Sequence, residues 1–340
     1  MTLEFWNDKR VLVTGATGFI GSWLVERLSN LGATITVFIK ENDPIDLASL
    51  VEVKDKVKIF YGDIRESDTV YQALNNQEII FHLAAITQVL YAIKNPAETV
   101  AVDVNGTLNI LEAIRNNDID PFLVFASTDK VYGEPKYLPI DEEHVLLAKS
   151  PYDASKLAAD RLVSSYFNTY GIKSSIVRWS NTYGGRDSNI LRAVPDFIMS
   201  ILNNKPPIIR GNGKHIRDYM YVDDAISGIL LIAEKQAKSN GEAFNIGTER
   251  PTSVLDLAKL ITKLMKLEVK TSPIILNKPL YGEIEVQYLS YKKAYQVLGW
   301  EPKINLEDGL KDTIEWYKNN RHWLNVINKV SNFYGINSLK

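Results

Sequence analysis

Val11-Leu12-Val13-Thr14-Gly15-Ala16-Thr17-Gly18-Phe19-Ile20-Gly21-Ser22 is the stretch that decides the fold. A short apolar run ends in three glycines at three-residue spacing, and the pattern then opens into a helix over residues 22–31. Glycine lets a backbone turn tightly and approach a pyrophosphate. A helix N-terminus offers unpaired N–H groups and the positive end of a dipole. The spacing is GxxGxxG, not the more common dinucleotide fingerprint GxGxxG. On this reading Gly15, Thr17, Gly18, Phe19, Ile20 and Gly21 cradle the phosphates of a dinucleotide.

The alternation that begins there continues through the first half. Residues 11–13, 34–39, 57–60, 79–82 and 122–126 read as buried strands, and 22–31, 68–74, 96–102 and 106–115 as helices. A helix over 152–170 and a strand over 174–178 follow. Strand–helix alternation predicts an α/β fold, a Rossmann-like doubly wound parallel sheet. The second half is less regular. Helices are expected over 193–202, 223–235, 253–265, 290–298 and 306–320, between turns at Pro206, Pro207 and Gly211-Asn212-Gly213. The expected division is residues 1–178 as an NAD(P)-binding domain and 179–340 mainly as a smaller α+β substrate-binding lobe, with some segments returning to the first domain.

Composition narrows the chemistry. The 340 residues carry 39 Lys plus Arg against 41 Asp plus Glu, a formal net charge of −2, and no cysteine. Disulfide scaffolds, thiolate metal sites and cysteine nucleophiles are excluded. His82, His144, His215 and His322 show no pair at ligand spacing, so no metal is expected. Near-neutral charge argues against nucleic acid as a partner. No run approaches the roughly 18 apolar residues of a membrane span, and no signal peptide is evident, so a cytoplasmic protein is expected. Chemistry must come from hydroxyls, carboxylates, amines or a bound cofactor.

Further segments fit a dinucleotide site. Lys40, near the end of the second strand, suits a ribose 2′-phosphate and points to NADP over NAD; the alternative is a solvated strand end. Asp63 and Ile64 follow the third strand, where a carboxylate meets an adenine amino group. Leu83-Ala84-Ala85 follow the fourth, where small residues leave room for a ribose or simply pack tightly.

Tyr152 and Lys156 stand four apart on the expected 152–170 helix and share a face. A cation beside a phenol favours the phenolate, which can take a proton from a sugar hydroxyl. Thr128, Asp129 and Lys130 lie at the carboxyl end of the fifth strand, the edge where open α/β sheets bind ligands. A strand-end turn is the bland alternative for them.

Together Gly15, Gly18, Gly21, Leu83-Ala84-Ala85, Thr128, Tyr152 and Lys156 resemble the extended short-chain dehydrogenase/reductase superfamily, in its NAD(P)-dependent nucleotide-sugar epimerase/dehydratase family. The resemblance extends to the strings Arg178–Gly184, Arg217–Asp224 and Phe244–Gly247. Thr128-Asp129-Lys130 is similar to the 4,6-dehydratases. The dTDP-glucose and GDP-mannose types usually carry glutamate where Lys130 stands. Lysine there, Phe5-Trp6, Gly21-Ser22-Trp23-Leu24, Gly282-Glu283-Ile284 and Gln287-Tyr288-Leu289 resemble CDP-glucose 4,6-dehydratase, whereas residues 102–107 and Lys40 are closer to GDP-mannose dehydratases.

The resemblance implies a tightly bound NAD(P), a nucleotide-diphosphate sugar substrate, and conversion to a 4-keto-6-deoxy sugar. Tyr152 is then the base at O4, Asp129 the acid at C6, Lys130 the replacement for the C5 base, and Thr128 the group orienting O4. Lys156 holds the nicotinamide ribose and depresses the tyrosine pKa. Asn181, Arg192, Arg217 and Glu283 are the substrate-binding candidates; an ion pair of Arg217 with Asp223 or Asp224 is the alternative for that residue. The resemblance also implies a homodimer, built on apolar stripes at Leu108, Leu111 and Ile114 and at Leu157, Ala158, Leu162 and Tyr166. A 4-epimerase, a reductase or decarboxylase of the same fold, and a non-catalytic dinucleotide sensor are the other readings.

Overall fold

The computed structural model describes residues 3–117, 120–265, 272–278 and 284–335. Twelve strands occur among them: β1 (Arg10–Thr14), β2 (Thr34–Ile39), β3 (Lys58–Tyr61), β4 (Ile79–His82), β5 (Phe122–Thr128), β6 (Ser174–Trp179), β7 (Asn181–Tyr183), β8 (Ile208–Ile209), β9 (Ile216–Tyr221), β10 (Ala243–Ile246), β11 (Pro251–Ser253) and β12 (Ile274–Ile275). Seven of them make a sheet in the order β10-β6-β5-β4-β1-β2-β3, all parallel. The winding reverses between β1 and β4, and ligands of open α/β sheets bind outside the carboxyl ends of the strands at such a point.

Successive side chains of a strand point to opposite faces, so one apolar strand feeds two cores. Val11 and Val13 join a core with the Phe19–Asn30 and Val222–Glu234 helices. Leu12 joins another with the Ser67–Leu74, Gly106–Asn116 and Pro151–Tyr170 helices. This is the Rossmann-like α/β architecture expected from the alternation. A three-stranded sheet, β11-β9-β7, and the β12–β8 pair build the smaller lobe over the carboxyl edge.

Several elements depart from the sequence reading. The edge strand β10 comes from residues 243–246, where no strand was expected. Helix 96–102 and helix 106–115 are joined by a π-helical turn, Ala101–Asn105, and 290–298 is reduced to a π-helical turn, Ala294–Leu298. The Trp323–Phe333 helix was not anticipated; it buries Trp323, Val326, Ile327 and Val330 at helical spacing. The apolar stripes also face inward: Leu111 and Ile114 are buried in the second core, Leu162 and Tyr166 pack against it, and Leu157 packs against Tyr132 and its neighbours. Among the described residues no helix is long and apolar enough to cross a membrane.

Candidate active site

A single cleft of about 1200 Å³ runs along the carboxyl edge from the glycine turn to the smaller lobe. Gly15 has a positive φ of 68°, and a Cβ there would sit 2.7 Å from the Ala84 nitrogen. A Cβ on Gly21 would sit 2.1 Å from the Gly15 oxygen. The turn therefore packs flush against the β4 exit, and the Phe19–Asn30 helix starts at Gly18 with no side-chain cap. An uncapped helix N-terminus lined by glycine backbone is a binding place for a pyrophosphate. Thr17, Phe19, Ile20, Lys40, Asp63, Ile64, Leu83, Ala84 and Ala85 line the same end of the cleft. Lys40 lies 3.6 Å from Asp63, which also takes a two-point contact from Arg65. In the loop after β2, Asp43 accepts from the Thr17 hydroxyl at 2.9 Å.

The walls behind this end are tied by a buried chain that the sequence reading missed. Thr107 Oγ1 donates to the Asp103 backbone oxygen at 2.6 Å, so it accepts from His82 Nε2 at 3.1 Å. The network thus assigns the Nε2–H tautomer, leaving Nδ1 to accept from Thr14 Oγ1 at 2.7 Å. Thr14 Oγ1 in turn accepts from Ala84 N, and Asp103 Oδ1 accepts from Ile86 N at 2.8 Å. Asp103 Oδ2 accepts from Ser155 on the tyrosine helix at 2.7 Å. Burial pushes His82 down to about 3, with Lys156 adding to the shift, and pushes Asp103 up. The signal available in the sequence was polar residues inside apolar runs: Thr14 and His82 both close strands.

Helix Pro151–Tyr170 begins with a capping box between Ser150 and Asp153 and with Pro151 in its first turn. That start sets Tyr152 and Lys156 in the cleft beside Thr128, Asp129 and Lys130. Burial raises the Tyr152 phenol and Asp103 raises it further; Arg192 and a hydrogen bond with Thr128 oppose. Arg192 is thus a cation acting on the phenol that the sequence reading had not assigned there. Lys156 lies over the Phe125 ring at 4.4 Å and has Asp103 and Asp160 as its charge partners.

After β5 the chain makes a 3₁₀ turn, Asp129–Tyr132, with Thr128 accepting from the Lys130 N–H. Asp129 Oδ2 and Lys130 Nζ are 3.3 Å apart, and Thr128 Oγ1 donates to Asp129 Oδ1 at 3.2 Å. Burial pushes the Lys130 ammonium down and Arg217 repels it, against the pull of Asp129. Lys130 Nζ also donates to Gln287 Oε1.

Asn181, Arg192 and Arg217 line the lobe end of the cleft, while Glu283 lies outside the described residues. Arg192 pairs with Asp187 at 3.1 Å. Arg217 donates to the backbone oxygens of Ile216 and Glu285. Asp223 instead pairs with Arg27, and Asp224 accepts from the Lys303 and Ile304 N–H groups. Trp179 Nε1, Ser180 Oγ and Asn181 Nδ2 are buried with no hydrogen-bond partner and border the cleft. An unsatisfied buried polar atom costs about 1–3 kcal/mol, so three in a row at a cleft wall fit a polar ligand. Among the described residues no group of acidic or histidine side chains is arranged to hold a metal ion.

Residues 12–313 match the family model of GDP-mannose 4,6 dehydratase. The chain belongs to the nucleotide-sugar epimerase/dehydratase family of short-chain dehydrogenase/reductase type. Within that family it is 36% identical to a protein of Methanocaldococcus jannaschii assigned as a UDP-glucose 4-epimerase, over 91% of this chain and 99% of the other. It is 32% identical to the dTDP-D-glucose 4,6-dehydratase of Homo sapiens, over 94% and 93%. The structure of a dTDP-glucose 4,6-dehydratase from Streptomyces venezuelae with NAD bound superposes with a TM-score of 0.86 at 27% identity, covering 92% and 98% of the two chains. Proteins named for both reaction types are thus among its relatives.

Proposed function

We propose that the chain is a nucleotide-diphosphate-sugar 4,6-dehydratase with CDP-glucose as its favoured substrate. The observation that carries this reading is the Asp129–Lys130 pair in the cleft beside Thr128 and Tyr152. Oxidation at C4 needs only a base for the O4 proton. Elimination of water across C5 and C6 needs an acid and a base as well.

A nicotinamide dinucleotide, when bound, accepts hydride from C4 and returns it at C6, and its cationic ring joins Arg192 in favouring the Tyr152 phenolate. Lys156 holds the nicotinamide ribose, Thr128 orients O4, and Tyr152 takes the O4 proton. The resulting ketone acidifies the C5 proton, which Lys130 removes as a neutral amine. Asp129 protonates the C6 hydroxyl as it departs as water, and Lys130 then returns its proton to C5. A carboxylic acid beside an amine holds as many protons as a carboxylate beside an ammonium. The pair is therefore armed when Lys130 gives up its cleft-facing proton and Asp129 takes one up, with the 3.3 Å contact kept, and burial with Arg217 repulsion lowers the cost of that loss. Asn181, Arg192 and Arg217 hold the diphosphate through charge-assisted hydrogen bonds.

For the cofactor, the cation that pointed to NADP is ion-paired with Asp63, and Asp43 lines the same end of the cleft. Those contacts support NAD, and mass analysis of the dinucleotide released by heating tests the choice. On this reading residues 1–178 carry the cofactor and 179–340 mainly the sugar nucleotide. A homodimer through the Gly106–Asn116 and Pro151–Tyr170 helices, as the family resemblance implies, completes it, tested by light scattering.

The second reading is a 4-epimerase, favoured by the Methanocaldococcus relative. Incubation with CDP-glucose, dTDP-glucose, UDP-glucose, UDP-N-acetylglucosamine and GDP-mannose separates the two. Loss of one water from one of them without net cofactor turnover supports the dehydratase. Unchanged mass with a new configuration at C4 supports the epimerase.

A further inference from the structure

Gln287 reaches the reaction pair from the other lobe. It is fully buried. Its backbone N–H donates to the Ile216 oxygen at 3.1 Å, and its neighbours Val286 and Leu289 bridge to Ile216 and Ile140. The segment is thus pinned on both sides. From it the side chain spans the 3₁₀ turn: Nε2 donates to the Asp129 backbone oxygen at 2.8 Å, and Oε1 accepts from Lys130 Nζ. The carboxamide orientation is forced, because the Asp129 carbonyl can only accept and so must face Nε2, which leaves Oε1 to Lys130.

We infer that Gln287 is a positioning residue for proton transfer at Lys130. The inference rests on the dehydratase reading above. A lysine head on a four-carbon stem is a mobile point charge. Here two of its N–H directions are taken, by Asp129 Oδ2 and by Gln287 Oε1. A tetrahedral nitrogen with two directions fixed has its remaining position fixed, and Lys130 lines the cleft in which C5 must sit. A group needed only to satisfy the Asp129 carbonyl would make one of the two contacts. Gln287 makes both, and so sets the amine and the turn bearing the acid as one unit.

The test uses full-length Gln287→Met, which keeps the volume and removes both polar atoms, and Gln287→Asn, whose shorter carboxamide cannot span both partners. Two readouts move in opposite directions. Trace labelling of lysines with acetic anhydride across pH, read by mass spectrometry, follows the proton on Lys130 without any substrate. Removing the Oε1 acceptor removes a group that stabilises the ammonium, so the Lys130 midpoint falls by about half a unit or more and labelling near neutral pH quickens about threefold. Solvent deuterium entry at C5 of CDP-glucose, dTDP-glucose, UDP-glucose or GDP-mannose slows about 10- to 100-fold, because the amine is no longer aimed. KM and the transient reduction of nicotinamide at the C4 step stay within about twofold, which a general loosening of the site would not allow.

An unmoved midpoint in both variants, or an undiminished C5 exchange rate, overturns the assignment. If the parent dehydrates none of the four sugar nucleotides, the dehydratase reading fails, and the labelling midpoint alone decides whether Gln287 holds Lys130.

Discussion

Two aspartate–cation pairs stand at the carboxyl edge of neighbouring strands β5 and β6, and they are built to opposite ends. Arg178 and Asp160 are 3% and 0% exposed and meet in a two-point contact at 2.9 and 3.0 Å. Ser127 adds a hydrogen bond to Asp160 at 2.7 Å, and Arg178 donates to the Tyr132 hydroxyl at 2.9 Å. Every partner is fixed, and arginine does not give up its proton. Asp129 and Lys130 share one contact at 3.3 Å, and the lysine side chain keeps 23% of its surface exposed in the cleft. Burial and Arg217 both weaken its hold on the proton. The comparison teaches why one pair suits a scaffold and the other the proposed chemistry: the difference lies in the cation and in what surrounds it.

The sharpest way to break this contrast is to make the second pair resemble the first. Lys130→Arg keeps the charge and removes the ability to deprotonate. C5 proton exchange should fall about 10²- to 10⁴-fold, the usual worth of a positioned base. Exchange at the parental rate would mean that Lys130 moves no proton. Conversely, Asp160→Ala leaves a buried guanidinium without its carboxylate and should cost about 3–5 kcal/mol in urea unfolding. A loss no larger than that of an ordinary surface change would remove Asp160 from the scaffold.

The third prediction concerns a buried group kept neutral. His82 is pushed down to about 3 in the fold against 6.5 when unfolded. Between those values the unfolded chain binds the extra proton, so stability present above pH 6.5 is lost as pH falls. The loss attributable to His82 should approach about 1.4 kcal/mol per pH unit below 6.5. His82→Gln should flatten that slope when unfolding is followed at pH 7, 6 and 5; an unchanged slope would show that His82 already titrates with the solvent. The smallest effect closes the series. Lys130→Ala should change unfolding stability by less than about 1 kcal/mol, since its charge faces the cleft. A loss comparable to that of Asp160→Ala would erase the distinction between the two pairs.

What was readable in the sequence was whatever is written locally. Apolar runs bounded by turns located β1 to β6 within a residue or two, and the glycine turn announced the first helix, which starts at Phe19 behind Gly18, three residues before the expected 22–31. Thr128 and the Tyr152–Lys156 pair were visible because strand end and helix face are local properties. What depends on distant partners was not. Strand β10 is four residues that pair only with β6, and Arg192 comes to act on Tyr152 through a fold-level approach that no spacing encodes. Gln287 was noticed only for its resemblance to a family string; its contacts with Lys130 and Asp129 span 157 and 158 residues of chain. The Trp323–Phe333 helix is the instructive exception, for its apolar spacing was local.

The central claim is that Lys130 and Asp129 add an elimination to the C4 oxidation. Turnover of CDP-glucose in deuterium oxide tests it most directly. The account predicts a product lighter by one water that carries one solvent deuterium at C5, with no net reduction of the nicotinamide. A product of unchanged carbon-bound hydrogen content and inverted C4 would contradict it.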